Sequence, residues 1–95
     1  MSIVRNEMIS DSRRPTHPGE VLREEFMPGY GLTETKLAAL LSASQHSVDE
    51  LMNERGEVDL DMALRLACTF ATSSQYWMSL QRRVDLWDSF NLERD

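Results

Sequence analysis

Three consecutive residues, Gln45, His46 and Ser47, carry donors and acceptors of the kind that read the edges of DNA bases. A glutamine amide matches adenine, whose major-groove edge offers one acceptor and one donor. An imidazole can donate to a guanine acceptor or contact a thymine, and a serine hydroxyl serves a base or a phosphate. Thr33, Thr35, Lys36, Asn53 and Arg55 lie on either side of the triplet. They suit phosphate oxygens, as do the free amides at a helix start. Ser44 directly precedes the triplet and is counted with it as a DNA contact, and its hydroxyl can also accept a bond from an amide two or three residues on. This chemistry works only if the triplet faces outward from the first turn of a helix whose other side is anchored.

The elements that must supply this lie between Thr33 and Arg55. Leu37, Ala38, Leu40 and Leu41 form one apolar set and Val48, Leu51 and Met52 a second, both in the three-and-four rhythm of helices packed on a core. Ser42-Ala43-Ser44 separates them. Two short helices joined by a tight turn make a helix-turn-helix, whose second helix enters a major groove. Asp49, Glu50 and Glu54 share that helix and oppose phosphates.

Around this pair the spacing predicts an all-α fold of five helices. Residues 1–15 read as a flexible N-terminal arm whose Arg5, Arg13 and Arg14 suit phosphates, and residues 16–95 as the folded domain. The first helix starts near Pro18, since proline suits a first turn. It buries Val21, Leu22, Phe26 and Met27 and is broken by Pro28-Gly29-Tyr30-Gly31. His17 caps or faces solvent, because no second ligand stands at metal spacing. Gly56 is expected to end the third helix in a left-handed conformation. Asp59 caps a fourth helix running through Ala71, with Leu60, Ala63, Leu64, Ala67 and Phe70 as its apolar face. Cys68 is expected buried there as a small hydrophobe. Ser73 caps a fifth helix reaching about Phe90, with Tyr76, Trp77, Leu80, Val84, Leu86, Trp87 and Phe90 as its apolar residues. A domain this small has few places to bury them all, so Val84, Leu86, Trp87 and Phe90 are expected to form a twofold dimer surface.

Ninety-five residues make one small domain, with 41% hydrophobic and 27% charged residues. The net charge of -6 departs from the basic footprint usual in DNA binders, although local charge governs binding more than the total. A lone cysteine excludes an internal disulfide framework. No signal peptide or membrane-spanning run is visible, so a cytoplasmic location is expected. There is no nucleophile–base pair, glycine-rich phosphate loop or zinc ligand set, so neither an enzyme nor a cofactor is expected. Glu24-Glu25 reads as a charged surface.

Thr33 to Arg55 resembles the helix-turn-helix of the XRE, or phage-repressor-like, family. Ser44-Gln45-His46-Ser47-Val48 is similar to its recognition-helix starts, while Ser42 stands where that pattern usually has a glycine. His17-Pro18-Gly19-Glu20-Val21-Leu22 with Glu24-Glu25-Phe26 resembles the opening motif of HigA-type antitoxins. Asp61-Met62-Ala63-Leu64-Arg65-Leu66-Ala67 and Tyr76-Trp77-Met78-Ser79-Leu80-Gln81 resemble two further blocks of that subfamily, in the same order. The resemblance implies a five-helix phage-repressor-like bundle. It also implies a homodimer that binds double-stranded operator DNA to repress its own operon, and a small basic HigB-like RNA-cleaving toxin as partner. A transcriptional regulator without a toxin is one alternative, and an interaction module that has lost DNA binding is another.

Overall fold

The computed structural model describes residues 14–94. Among these residues the chain forms five helices and no strand. They are α1 over 18–30, α2 (Glu34–Leu41), α3 (Gln45–Met52), α4 (Leu60–Phe70) and α5 (Ser74–Arg94). Most of the expected arm, with Arg5 and Arg13, lies outside the described residues. Arg14 does not reach outward: it forms a two-pronged ion pair with Asp88 of α5, at 3.0 and 2.7 Å.

Helix α1 runs through Pro28-Gly29-Tyr30 instead of breaking there. Its middle turn, Leu22–Phe26, is a wide π turn in which the Met27 amide donates to the Leu22 carbonyl. A proline lacks its own amide and clashes with the carbonyl four residues back. The wide turn just before Pro28 gives that carbonyl room, so the helix continues to Gly31, which ends it at φ 63°.

The other helices end without a glycine. Ser42, Glu54 and Ala71 take left-handed conformations at φ 53°, 61° and 55° after α2, α3 and α4. Each is followed by a six-to-one bond: Ala43 to Ala38, Arg55 to Glu50 and Thr72 to Ala67. Glu54 therefore takes the place expected for Gly56. Gly56 instead supplies space, since a Cβ there would lie 3.2 Å from the Leu51 nitrogen.

The core runs through all five helices, with Leu22, Leu37, Leu41, Val48, Leu66 and Trp77 among its fully buried members. On α4 the buried face is Ala63, Leu66 and Phe70, which leaves Leu60, Leu64 and Cys68 exposed, contrary to expectation. The reason is phase: at 100° per residue, 60, 64 and 68 make a stripe rotated well away from the 63–66–70 face. Leu40 on α2 is exposed as well. Phe26 of α1 closes the bundle against Phe70 and Trp77, with ring centroids 4.9 and 5.2 Å apart. On α5, Trp77, Leu80, Gln81 and Val84 face inward. Val84 is 1% exposed and belongs to the chain's own interior, so it is unavailable to a second copy. Leu86 is 65% exposed, Phe90 is exposed and Trp87 is half-buried. The helix continues past Phe90 to Arg94.

Candidate nucleic-acid interface

The α2–α3 pair is built from short helices whose ends are all tied. Thr33 caps α2, its hydroxyl accepting the Lys36 amide at 3.2 Å. Ser44 caps α3 in the same way, taking the Ser47 amide at 3.0 Å and donating to the Ser47 hydroxyl at 2.9 Å. The underside of α3, Val48, Leu51 and Met52, is buried. Gln45, His46 and Ser47 on its first turn are exposed, as the reading chemistry requires. The Gln45 amide nitrogen donates to the Thr35 hydroxyl at 2.8 Å, a bond that spans the turn and joins the start of α2 to the start of α3. Thr33, Thr35 and Lys36 are likewise exposed. The structure thus gathers six of the residues picked from the sequence at one end of the pair, together with the Ser44 cap.

Asn53 and Arg55 lie at the far end of α3, about 12 Å away for eight residues at 1.5 Å each. Both are exposed and engaged. The Asn53 amide donates to the Asp49 carbonyl and carboxylate at 2.8 and 3.1 Å. Arg55 lies 3.3 Å from Glu50 and 3.7 Å from Asp49. Glu54, the third acid of this stretch, pairs with Arg23 of α1 at 3.1 Å. Each carboxylate that opposes phosphates therefore has a cationic neighbour, which softens the local negative potential.

Two arginines that the sequence reading gave no such role hold the pair from outside. Arg23 donates to the Met52 carbonyl at the end of α3 at 2.6 Å. Arg65 of α4 donates to the Leu41 and Ser42 carbonyls at the end of α2, at 2.8 and 3.0 Å. The sole local signal was the Asp61–Arg65 spacing of four on one helix, now an ion pair of 2.9 Å.

Below the pair, Gly19 of α1 allows a backbone contact with α3: a Cβ at this position would fall on the Leu51 carbonyl oxygen. His17 is 2% exposed. Its Nδ1 accepts the Gly19 amide at 2.9 Å, and its Nε2 stands 3.1 Å from the Gly56 carbonyl oxygen. Serving both bonds requires the neutral ring with its proton on Nε2. Burial pushes its pKa below the ordinary histidine value.

No protein-family profile matches the chain. Antitoxin HigA-1 of Vibrio cholerae serotype O1 is 33% identical over 84 residues, covering 88% of this chain and 79% of that protein. The chain belongs to the HigA antitoxin family. Solved structures agree with this assignment. Antitoxin GraA superposes with a TM-score of 0.82 at 40% identity, over 87% of this chain and 89% of its own. The Pseudomonas aeruginosa antitoxin HigA, solved with the higBA promoter, gives 0.80 at 38% identity over 83% and 86%. This HigA-type chain thus has the expected all-α helix-turn-helix fold. None of its described helices is long and apolar enough to cross a membrane.

Proposed function

We propose that this HigA-type protein is the antitoxin of a type II pair. It acts as a homodimer that represses its own operon by placing α3 of each copy in the major groove of a pseudo-palindromic operator. The observation that carries the reading is the outward first turn of α3, with Gln45, His46 and Ser47 exposed over a fully buried underside. It is supported by the family member solved on its promoter. Gln45 and His46 contact bases, Ser47 a base or a phosphate. Thr33, Thr35, Lys36, Asn53 and Arg55 contact phosphates, Arg55 by exchanging Glu50 for a phosphate oxygen. The dimer forms through the second half of α5, where Leu86 and Trp87 leave apolar surface uncovered. The neutralised partner is a HigB-like basic toxin, for which the net charge of -6 favours fast encounter.

Gel shifts on the upstream region at rising salt test the DNA half of this reading. Binding should weaken by about 0.9 log units per log unit of salt for every phosphate neutralised. Absence of binding on every upstream fragment at low salt would leave an interaction module instead. Co-expression and pull-down with the neighbouring gene product tests the toxin half; failure to co-purify would leave a regulator without a toxin.

A further inference from the structure

We propose that Arg65, which lies outside the helix-turn-helix, is a positioning residue for operator reading that latches the turn aiming α3. The inference deepens the DNA-reading role proposed above and rests on it. The Arg65 Nη1 donates to two successive carbonyls, Leu41 at 2.8 Å and Ser42 at 3.0 Å. Its Nε donates to Asp61 at 2.9 Å on the same helix. These carbonyls belong to the weakest joint of the pair. The last carbonyls of a helix have no amide of their own to accept from. Ser42 sits at φ 53°, a conformation that a residue with a Cβ adopts reluctantly. Its torsion angles set the direction in which the chain leaves α2, and α3 begins three residues later. A small rotation at Ser42 would therefore swing Gln45, His46 and Ser47 together.

Arg65 removes that freedom. Its guanidinium is planar, so fixing Nε on Asp61 fixes where Nη1 points. The helix carrying it is anchored by Ala63, Leu66 and Phe70 in the core. The turn is thus referenced to the body of the bundle and not only to α2. Contacts to base edges tolerate displacements of about half an ångström, so a loose turn costs affinity even when the protein stays folded. Arg65 also lines a groove of about 450 Å³ with Ser44, His46 and Ser47. It stands near the DNA in the proposed complex, so a direct phosphate contact is the competing explanation.

The test compares operator binding by the wild type, Arg65→Ala and Arg65→Lys, at a temperature where circular dichroism reports all three as folded. Arg65→Ala should weaken binding roughly tenfold, a change of about 1.4 kcal/mol. The slope of affinity against salt should not change. Arg65→Lys should stay weakened, because an ammonium keeps the charge but loses the fork. Amide hydrogen exchange at residues 43–47 should quicken in both variants with no DNA present. Full affinity in Arg65→Lys overturns the proposal, as does a salt slope lowered by about one, the mark of a lost phosphate contact. Should the wild type bind no upstream fragment, DNA reading fails separately, and exchange still decides the latch: unaltered rates at residues 43–47 in Arg65→Ala remove it.

Discussion

Each helix of the α2–α3 pair is eight residues long, too short to persist alone in water. The pair is fixed by Thr33 and Ser44 at its starts, and by Arg65 and Arg23 at its ends. Helix α5 is 21 residues long, and its second half carries Leu86 and Phe90 exposed. Among the described residues beyond Val84, Asp88 is tied to the segment before α1 by its pair with Arg14. Bases tolerate little misplacement, so a surface that reads them must be rigid before DNA arrives. If the second half of α5 meets a second copy as proposed, it can stay open until that meeting orders it.

The most sensitive point of the paired helices is the close approach of α1 beneath α3. Gly19→Ala would place a methyl group on the Leu51 carbonyl oxygen, where neither backbone can yield cheaply. A loss of about 3 kcal/mol is expected by urea denaturation, in the upper range for overpacking. Gln45→Ala with Ser47→Ala should leave the urea midpoint almost unmoved. Operator affinity in a competition gel shift should fall by about 1–3 kcal/mol per lost base contact. Unchanged affinity would mean that other side chains read the operator.

On α5, substitutions at Val84 and Leu86, two residues apart, should act in opposite ways. Val84→Ala should cost roughly 2 kcal/mol of fold stability through the cavity it leaves. Leu86→Glu should leave the fold intact and abolish the dimer in light scattering. If Leu86→Glu unfolds the chain instead, the second half of α5 is core and not interface. In the other direction, Ser42→Gly relieves the left-handed turn and should raise stability by about 0.5–1 kcal/mol in the same urea assay.

The subtlest effect is on pH. The native His17 ring is held neutral by burial, so the unfolded chain takes up its proton first, near pH 6.5. Stability is then fully present above that value and declines as pH falls from about 6.5 towards the native pKa. The Arg14–Asp88 pair holds the Asp88 carboxyl below its usual value. Its contribution is present above about pH 4 and is lost only at lower pH. The two windows open at different pH, that of His17 near 6.5 and that of Asp88 near 4. Urea midpoints between pH 7.5 and 5 should therefore slope in the wild type and flatten in His17→Gln.

What the sequence revealed was mostly local. Ser44, Asp59 and Ser73 were readable as caps because a cap involves an amide two or three residues on, whereas Thr33 reads from the sequence as a phosphate contact and its capping bond goes unnoticed there. The outward first turn of α3 followed from the spacing of Val48, Leu51 and Met52. The illegible features join distant residues. Nothing near Arg65 announces a bond to Leu41, nothing near Gly19 announces the Leu51 carbonyl, and His17 reaches across 39 positions to Gly56. The error at Cys68 had another source: its apolar neighbours Leu66 and Phe70 suggested burial, but helical phase turned it outward. Gly56 and Glu54 exchanged roles because residue preference for left-handed turns is a tendency and three of these turns ignore it.

The chain's two tryptophans lie ten residues apart on α5 in unlike surroundings. Trp77 is fully buried, its indole nitrogen donating to the Thr72 hydroxyl at 2.7 Å, whereas Trp87 is half-buried beside Leu86. Their fluorescence should differ accordingly, with Trp77 emitting at shorter wavelength and Trp87 more open to a dissolved quencher. The unlabelled protein thus carries two optical reporters on one helix, the first sensitive to unfolding and the second placed to register a second copy in the proposed dimer.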